Sequence, residues 1–490
     1  MVQWAKFPLS GKMNLSNDEV LLHKAMASIE NGYPNDGGGQ SRFPGLEWFA
    51  QFPGTRTYCF AHRGTLYAAT DLGRLWRISS DREAEDVTGV PISGGKRVKF
   101  DETDDGLVMA AGGPIIQLTA PKTSLLSKDA PNSTHVGYLD GYLTALEAQS
   151  NRFYHSAPDD PTSWDPQDVF SANARPGPAN ALVITPYREL LISKPSSIEQ
   201  WETLSGGDKA FSRRFASGQG CAFPYTLVTD ATGTYGVTER FEFVRFAGQV
   251  SQDQSSDVSL ALAKVDNWDE AWAEELTMFG SRFIILQMPN ATNAYGTKGI
   301  TLCYDYRGQK FMFLYGALQN GLPTRWPGWS FGRAYGKVFA GVPGGVAELS
   351  DTVFQNLGED QRFLIRTPHV TEFGPSRIDA IRLRLKRGVS PPLMPLRQEV
   401  GRPYLREPYD RLNREAGPPQ EGVIALRCNP DNRGFDEWQY EEIGTDGENA
   451  IVLEFGAQGS ANSWQFEIMC SDAVPVEIAD MEIWVERLSN

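Results

Sequence analysis

The chain has 490 residues, of which 46 are Lys or Arg and 61 are Asp or Glu, so its formal charge at pH 7 is −15. Aromatic residues make up 11% of the sequence, which excludes a disordered chain, because disordered sequences are poor in large apolar side chains. The acidic balance argues against tight, general binding to duplex DNA, which normally requires a basic surface.

Membrane insertion and disulfide formation are not expected either. No apolar run approaches the roughly 18 residues that a membrane-spanning helix needs, and residues 1–8 lack the apolar core of a secretory signal. Five cysteines lie far apart, and no two of them have C-x-x-C spacing. A disulfide framework or zinc ribbon is therefore not expected, and a reducing compartment is the natural setting for folding.

Two short helices are predicted. Ser16-Asn-Asp-Glu19 has the pattern of a capping box, and the helix that it opens is expected to end at Asn31-Gly32. A second helix is expected from Asn267 to Gly280. Residues 1–50 are therefore predicted to form an N-terminal arm with a short helix.

Most of the remaining sequence predicts β-structure. Short runs rich in Val, Ile, Tyr, Phe and Thr alternate with turn residues, as in the three-strand meander predicted over 57–78, with a turn at Arg63-Gly64. Similar units begin at intervals of roughly 40 to 53 residues, the period of a four-stranded propeller blade. Residues 51–357 are predicted to form a β-propeller of six or seven blades, in which strands from the two ends can share one blade.

The sequence changes in style near Asn356-Leu-Gly-Glu-Asp360. Residues 358–490 contain strands with clean apolar and polar alternation, such as Arg382-Leu-Arg-Leu-Lys386, which predict a C-terminal β-sandwich. A Pro- and Arg-rich stretch over 388–420 interrupts this domain. Such a long excursion between strands is expected to make contacts, because an ordinary hairpin needs only a few residues.

Basic residues concentrate around this excursion. Residues 377–414 contain ten Lys or Arg and four Asp or Glu, so this segment carries +6 and the remainder of the chain −21. Both a solvated surface loop and a docking arm for an acidic partner, such as another copy of the chain, are compatible with the pattern. The candidate interaction residues are Arg397, Arg402, Arg406, Arg411 and Arg414.

The catalytic and metal-binding motifs lack the context that their chemistry requires. Gly328-Trp-Ser330-Phe-Gly332 matches the nucleophile elbow, but β-type sequence follows it where a helix is needed. Asp101-Glu-Thr-Asp-Asp-Gly106 begins like a calcium loop, yet Gly112 occupies the position of the bidentate glutamate. The histidines lack zinc-site spacing. We predict no catalytic, cofactor-binding or metal-binding residues, and a structural or binding role in preference to an enzyme.

Several segments together resemble a known family. In chain order they are Gly38-Gly-Gln-Ser-Arg-Phe-Pro-Gly-Leu-Glu-Trp-Phe, Glu189-Leu-Leu-Ile-Ser-Lys-Pro-Ser-Ser-Ile-Glu-Gln-Trp, Met278-Phe-Gly-Ser-Arg-Phe-Ile-Ile-Leu-Gln-Met-Pro, Thr301-Leu-Cys-Tyr-Asp-Tyr, Asn429-Pro-Asp-Asn-Arg-Gly-Phe-Asp-Glu-Trp and Phe466-Glu-Ile-Met-Cys-Ser-Asp-Ala-Val-Pro. This ordered set resembles the packaged-DNA stabilisation proteins of short-tailed phages, also called tail hub or nozzle proteins. The 388–420 excursion departs from the family pattern, and 429–438 lacks its paired glycines.

The resemblance implies a structural virion protein of the phage tail, assembled in the host cytoplasm. It implies a homo-hexameric ring below the portal and adaptor that continues the DNA channel, helps to retain the packaged genome and anchors the needle and tailspikes. Genomic DNA would pass through the lumen without tight binding, and an acidic lining would repel it. The alternative is a carbohydrate-binding or glycoside-cleaving propeller that works alone, so the oligomeric state separates the two hypotheses.

Overall fold

A computed structural model describes residues 2–7, 9, 28–35, 39–119, 121–204, 209–247, 250–306, 308–319, 322–387, 422–444, 447 and 450–488. Regular structure in these residues is almost entirely β, which confirms the predicted fold class. No helix in this part of the chain is long and apolar enough to cross a membrane.

Seven antiparallel arrays of four strands follow one another in the described residues and form the blades of a propeller. Blade 1 consists of Thr57–His62, Thr65–Thr70, Leu75–Ile78 and Ala84–Asp86. Blade 2 consists of Lys99–Glu102, Leu107–Ala110, Ile116–Leu118 and Thr123–Leu125. Blade 3 consists of Ser133–Leu139, Tyr142–Glu147, Arg152–Ala157 and Asp160–Ser171. Blade 4 consists of Ala181–Thr185, Glu189–Lys194, Ser197–Thr203 and Phe211–Ser217. Blade 5 consists of Val228–Asp230, Gly233–Val237, Phe243–Ala247 and Val250–Asp253. Blade 6 consists of Trp272–Met278, Ser281–Thr292, Lys298–Asp305 and Lys310–Phe313. Blade 7 consists of Ser330–Ala334, Lys337–Val342, Gly345–Ser350 and Gly45–Gln51.

Tight turns connect the first two strands of several blades. Arg63-Gly64, Asp140-Gly141, Phe279-Gly280 and Tyr335-Gly336 all have positive φ at both residues. This is the conformation of type I′ turns, whose twist matches the right-handed twist of the flanking strands. The local sequence therefore specifies the hairpins, as predicted at Arg63-Gly64.

Neighbouring blades pack face to face through apolar side chains. Leu107 and Met109 of blade 2 share one buried cluster with Ala69 and Leu75 of blade 1, and similar clusters join the other neighbours. Polar contacts also join adjacent blades: they are Tyr138 N to Asp101 Oδ2 (2.6 Å), Arg188 Nε to Asp140 Oδ1 (2.8 Å), Tyr187 Oη to the Ala231 carbonyl (3.0 Å) and Arg282 Nη2 to Asp230 Oδ2 (2.7 Å).

A strand from the N-terminal side closes the ring. Gly45–Gln51 pairs antiparallel with Gly345–Ser350, from Gly45 opposite Ser350 to Gln51 opposite Gly345. Blade 7 then packs on blade 1, where Phe339 and Val346 share a buried cluster with Cys59 and Leu66. The expectation that the first and last strands share a blade is therefore confirmed, and the number of blades is seven in the described chain.

Ser330 joins the first strands of blades 7 and 1. Its hydroxyl donates to the Thr57 carbonyl at 3.1 Å and accepts a hydrogen bond from the Cys59 amide at 2.5 Å. The side chain is buried, with 2% exposure. The serine of the G-x-S-x-G pattern thus lies at the start of a strand. It joins blades 7 and 1, which meet at the seam of the ring.

The two ends of the chain form a β-sandwich. Its first sheet contains Val2–Phe7, Gly32–Pro34, Gln40–Arg42, Ser376–Lys386, Ile451–Phe455, Gly459–Ala461 and Glu477–Arg487. Its second sheet contains Ser28–Glu30, Phe363–Arg366, Gly422–Pro430, Gln439–Ile443 and Trp464–Cys470. Leu383 and Ile483 of the first sheet and Leu426 and Phe466 of the second lie in one buried core, as predicted for a sandwich.

One strand joins the sandwich to the propeller. Glu30, in Ser28–Glu30, pairs with Phe313 of blade 6 on one side and with Leu364 of the sandwich on the other. The Glu30 carboxylate accepts hydrogen bonds from Arg362 and from the phenol of Tyr295, which follows the second strand of blade 6. A continuous nine-stranded sheet and a buried ion pair therefore span the two parts.

Arg42 forms a second connection. Its guanidinium, with 3% of the residue exposed, donates to the carbonyls of Phe354 (3.1 Å) and Gln361, which lie where the chain leaves the propeller. It also donates to the carbonyls of Asp472 and Val474 (3.2 Å) in the sandwich. Burial lowers the pKa of Arg42, and the nearby Cys470 and Asp472 oppose this effect. Four carbonyl partners replace the water that the cation loses.

The remaining elements are short. They are the hairpins Tyr315–Gln319 with Leu322–Arg325 and Gln355–Asn356 with Glu359–Asp360, the 3₁₀ turn Ser256–Val258 and the α-helix Ser259–Ala263. The second hairpin turns at Leu357-Gly358, both with positive φ, near the sequence boundary predicted at 356–360.

The predicted helix from Asn267 to Gly280 is wrong. Trp272–Met278 is the first strand of blade 6 and pairs along its whole length with Ser281–Thr292. The Asn267 side chain accepts a hydrogen bond from the Asp269 amide at 2.8 Å, so it forms a local turn and does not cap a helix. Pairing with a long neighbouring strand outweighs the weak local helix signal.

The first predicted helix falls largely outside the described residues, because 10–27 are not described and Ser28–Glu30 is a strand. The domain boundaries 1–50, 51–357 and 358–490 stay a prediction. Within 1–50, Val2–Phe7 and Gln40–Arg42 pair in the sandwich, and Gly45–Gln51 belongs to blade 7.

We expect Ser330→Ala to lower the free energy of unfolding by about 1–3 kcal/mol, because it leaves the buried Thr57 carbonyl and Cys59 amide without their hydroxyl partner. Urea unfolding measures this change. Ser350→Ala is the matched control, because the Ser350 hydroxyl bonds only to its exposed neighbour Thr352 among the described residues. Equal stability of the Ser330→Ala and Ser350→Ala variants would contradict a role at the seam.

We expect Arg42→Met to lower the free energy of unfolding by about 3 kcal/mol or more, because it leaves four carbonyls without their donor. Scanning calorimetry should show the propeller and the sandwich unfolding in separate steps. Arg377→Met is the control on the same sheet, because Arg377 is half exposed and pairs with Asp379 alone in the described chain. A single transition at the wild-type temperature would contradict the proposed connection.

Candidate functional site

The predicted interaction residues lie outside the described residues. They are Arg397, Arg402, Arg406, Arg411 and Arg414, all within 388–421. Their role in binding a partner stays a prediction.

The described half of the basic segment lies on strand Ser376–Lys386 of the sandwich. Its exposed cations pair with acids of the same chain: Arg377 with Asp379 (2.6 Å), Arg382 with Glu454 (2.7 Å), Arg384 with Glu482 (2.7 Å) and Lys386 with Glu477 (3.1 Å). The register of the sheet places an acid opposite most of these cations. Such exposed pairs add little stability, but they neutralise four of the ten basic residues, so +6 overstates the charge available to a partner.

Arg387, the next basic residue, is buried. Its guanidinium donates to the carbonyls of Ile443 (3.0 Å) and Gly444, so this side chain belongs to the sandwich. It therefore anchors the point at which the chain enters the 388–420 segment.

A second group of charged and aromatic residues lies at one end of the propeller axis. The first strands of the blades lie side by side around this axis, so residues at their starts converge. We call this group the axial cluster. Its members are Arg56, Tyr58, Arg97, Lys99, His135, Tyr225, Glu270, Trp272, Glu274, Arg325 and Trp329.

Arg97 is the central residue of the axial cluster. Its Nη2 donates to the Glu274 carboxylate of blade 6 and, at 2.6 Å, to the Trp329 carbonyl before blade 7. The guanidinium lies 4.2 Å from the ring centroid of Trp272 and 5.1 Å from that of Tyr58. Its side chain is 8% exposed. Arg97 thus connects blade 2 to blades 1, 6 and 7 across the axis.

The Trp329 ring contacts two further cations. The guanidinium of Arg325 is 4.1 Å from its ring centroid and that of Arg56 is 5.5 Å away. Arg56 pairs with Glu270 at 2.7 Å, whereas Arg325 donates to the neutral side-chain amide of Gln287 at 2.7 Å. Burial, and to a smaller extent the charge of Arg56, lowers the pKa of Arg325 to about 10.

Lys99, at the start of blade 2, lies beside Tyr225 in the axial cluster. Its ammonium is 5.7 Å from the ring centroid of Tyr225, and His135 stacks on the same ring at 5.2 Å. Burial and the charge of Arg97 lower the pKa of Lys99 to about 8, while Glu274 opposes this effect. Burial and Lys99 hold the pKa of His135 well below its usual value. Neighbouring cations therefore disfavour one another here.

The axial cluster contains four cations and two carboxylates, a net formal charge of +2 in a chain of −15. The sequence analysis missed it, because its basic residues are scattered among acidic segments. Alignment of the repeats could have found them, because Arg56, Arg97 and Lys99 all precede or begin the first strand of a blade.

The other sequence motifs have structural positions. Asp101 of the calcium-like segment accepts hydrogen bonds from the amides of Tyr138 (2.6 Å) and Glu102 (2.8 Å), and burial raises its pKa to about 6. No group of three or more His, Cys, Asp or Glu in the described residues is arranged to hold a metal. All five cysteines are buried as free thiols.

A surface cleft lies beside blade 3. It has a volume of about 470 Å³ and is lined by Asp129, Trp164, Asp165 and Asp168, among others. The Trp164 ring is only 8% exposed and its indole donates to the Pro161 carbonyl at 2.8 Å. This ring has little free face on which a sugar could stack.

The chain matches a family model described as Phage_stabilise, Bacteriophage P22 Gp10, β-propeller, over residues 25–341. No curated protein matches the sequence. The match includes the closing strand Gly45–Gln51 and six complete blades.

Solved structures show only remote likeness. The computationally designed Ika8 protein is 11% identical over 62% of this chain and 99% of its own, with a TM-score of 0.37. A candidate gluconolactonase is 10% identical over 65% of this chain and 93% of its own, with a TM-score of 0.32. The extracellular domain of a candidate one-component system from B. thetaiotaomicron is 11% identical over 95% of this chain and 62% of its own, with a TM-score of 0.41. These scores carry no argument about function.

We expect Lys99→Met to stabilise the protein by about 1–2 kcal/mol at pH 7, because burial and, to a smaller extent, the charge of Arg97 disfavour the charged lysine. The folded pKa of Lys99 is about 8, against a usual 10.5, so the folded state binds fewer protons between these values. The stability of the wild type should therefore rise with pH across this window, and its difference from the variant should shrink.

Urea unfolding at pH 7, 9 and 10 measures the effect of Lys99→Met. Lys264→Met, at an exposed lysine after the short helix, is the control and should change stability little at any pH. A Lys99→Met variant less stable than the wild type at pH 7 would contradict the conclusion that the charged form of Lys99 is disfavoured in the folded protein.

Proposed function

Because this chain belongs to the phage-stabilisation family of the bacteriophage P22 Gp10 β-propeller, we propose that it is the tail nozzle of a short-tailed phage. It forms a homo-hexameric ring below the portal and adaptor, continues the DNA channel and helps to retain the packaged genome. It also anchors the needle and the tailspikes. The observation that carries the proposal is the family match over 25–341, which makes the chain a phage structural protein.

The strand pairing of the described chain supports a role that requires a mechanically rigid subunit. The ring is closed by Gly45–Gln51, and the first strand Val2–Phe7 pairs with the last strand Glu477–Arg487. Ser28–Glu30 and Arg42 join the propeller to the sandwich through buried polar contacts. Domains joined only by a small polar interface move easily relative to one another. A continuous sheet resists such motion, as a part that holds packaged DNA under pressure requires.

The charge of the chain supports passage of DNA without tight binding. The formal charge is −15, and tight DNA binding depends on cations that neutralise phosphates. Part of the basic charge of the described chain is already paired, on the sandwich strand Ser376–Lys386 and at Arg56 and Arg97. A channel lined by such subunits would repel the genome and let it slide.

The 388–420 segment is the proposed contact to a neighbouring subunit or a tailspike. It begins directly after Arg387, whose buried guanidinium holds its base in the sandwich. The five candidate arginines of this segment would pair with acids of the partner. Because the exposed cations of Ser376–Lys386 already have partners, the segment itself must supply the charge.

Imaging of the purified full-length protein tests the assembly, with and without the adaptor of the same phage. A sixfold ring in either sample supports the nozzle. A chain that stays monomeric with the adaptor present and cleaves or binds glycans would overturn the proposal and favour the carbohydrate-directed alternative.

Charge reversal at Arg402, Arg406 and Arg411 should weaken particle assembly by at least about tenfold, because three attractive pairs become repulsive. The defect should depend on ionic strength, since salt screens exposed charges. Assembly of tails from purified components at low and high salt, followed by particle counting, measures it.

The matched control reverses Arg240, Lys264 and Arg333, which are exposed on the propeller and change the net charge by the same amount. These substitutions should leave assembly unchanged. Normal assembly of the variant with Arg402, Arg406 and Arg411 reversed would contradict the proposed role of the 388–420 segment. An equal defect in both variants would contradict it as well.

A further inference from the structure

The axial cluster presents hydrogen-bond donors without matching acceptors. Nη1 of Arg97 is buried and has no hydrogen-bond partner in the described residues, although Nη2 of the same guanidinium has two. The indole N–H groups of Trp272 and Trp329 are likewise buried and unpartnered in this part of the chain. A buried donor without an acceptor costs about 1–3 kcal/mol, so three in one place call for an acceptor.

The charges of the axial cluster also favour an anionic hydrogen-bond acceptor. Lys99 forms no ion pair within the described chain, and its ammonium lies over the Tyr225 ring. Val98 between them is buried in the cluster between blades 1 and 2, whereas Arg97 contacts Trp272 and Glu274 and Lys99 contacts Tyr225. The carboxylate of Glu274 is already engaged by Arg97 and by the Phe331 amide (3.1 Å). The neighbouring cations Arg97 and Lys99 therefore have one carboxylate close to them, and it already accepts hydrogen bonds from two donors.

Solvent can reach this region. Lys99 and Tyr225 are only half buried, and the side chains of Arg56 and Glu274 are 33% and 28% exposed. The deepest donor, Arg97, lies behind them with 8% exposure. A small ligand that reaches Arg97 would meet a guanidinium that is already oriented by Glu274 and by its position over the Trp272 ring.

We propose that the axial cluster binds one small oxyanion, a phosphate or a carboxylate group, between Arg97 and Lys99. Arg97 holds it through the N–H groups of Nη1, which have no partner in the described residues. Lys99 supplies a second charge, and the indole groups supply neutral donors. The bound anion also screens the repulsion of the four cations, so it acts as a stabilising plug at the end of the axis. This site is independent of the proposed tail role.

Titration calorimetry of the purified full-length protein tests the site with sodium phosphate and sodium acetate in separate arms, at constant ionic strength with sodium chloride as the reference. We expect saturable binding of at least one of these anions with one site per chain, and a rise in melting temperature of about 1–2 °C at saturation. Binding should weaken as the pH rises through about 8, where Lys99 loses its proton. His135, whose pKa burial and Lys99 hold well below its usual value, stays neutral across this range, so the pH dependence reports on Lys99.

Lys99→Met and Arg97→Gln should each weaken binding at least about tenfold, which corresponds to about 1.4 kcal/mol. Lys264→Met, a cation removed from the exposed surface, should bind as the wild type does. If Arg97→Gln fails to fold because it breaks the contact between blades, Lys99→Met alone decides. No saturable binding of either anion, or unchanged binding in Lys99→Met, would overturn the site.

Discussion

The structure depends on the pairing of Gly45–Gln51 with Gly345–Ser350. These strands are separated by nearly the whole propeller, yet blade 7 has only three strands without Gly45–Gln51. A blade buries its faces only against its neighbours, so an incomplete last blade would expose the cores on both sides of the seam. Closure also determines the path of the termini, because the chain must enter and leave the ring at the same blade. The hairpin at Gln355–Asp360 leaves directly beside Gly45–Gln51.

Buried charges appear where separate parts of the described chain meet. Arg42 contacts carbonyls of the propeller exit and of the sandwich, Glu30 and Arg362 lie between blade 6 and the sandwich, and Arg97 connects four blades. A cation deprived of water is tolerated only when several acceptors are correctly placed around it. Each of these residues therefore stabilises one relative arrangement of its neighbours, whereas the exposed pairs of Ser376–Lys386 are weakly coupled to the fold.

The axial cluster and the acidic surface are in different environments. Exposed acids of the chain are solvated, and their field is screened within about 10 Å at ordinary ionic strength. The cations of the cluster are partly removed from water, so each of them affects its neighbours: burial and Arg56 lower the pKa of Arg325, and burial and Arg97 lower that of Lys99. A chain with a large negative charge can therefore still hold one small anion at its axis, as proposed for Arg97 and Lys99.

The sequence alone determined the all-β class, the blade rhythm and the alternating strands of the sandwich, because tight turns such as Arg63-Gly64 and period-two patterns are local. It also marked the family through ordered segments. Local patterns could not decide the blade count, the strand at Trp272–Met278 or the axial cluster, and residues 388–420 stay outside what is described. Each of these depends on partners far along the chain: blade 7 needs Gly45–Gln51, and Arg97 meets Glu274 and Trp329 only after the ring closes. Contacts between residues hundreds of positions apart leave no periodic trace in the sequence, so only the closed tertiary structure brings them together.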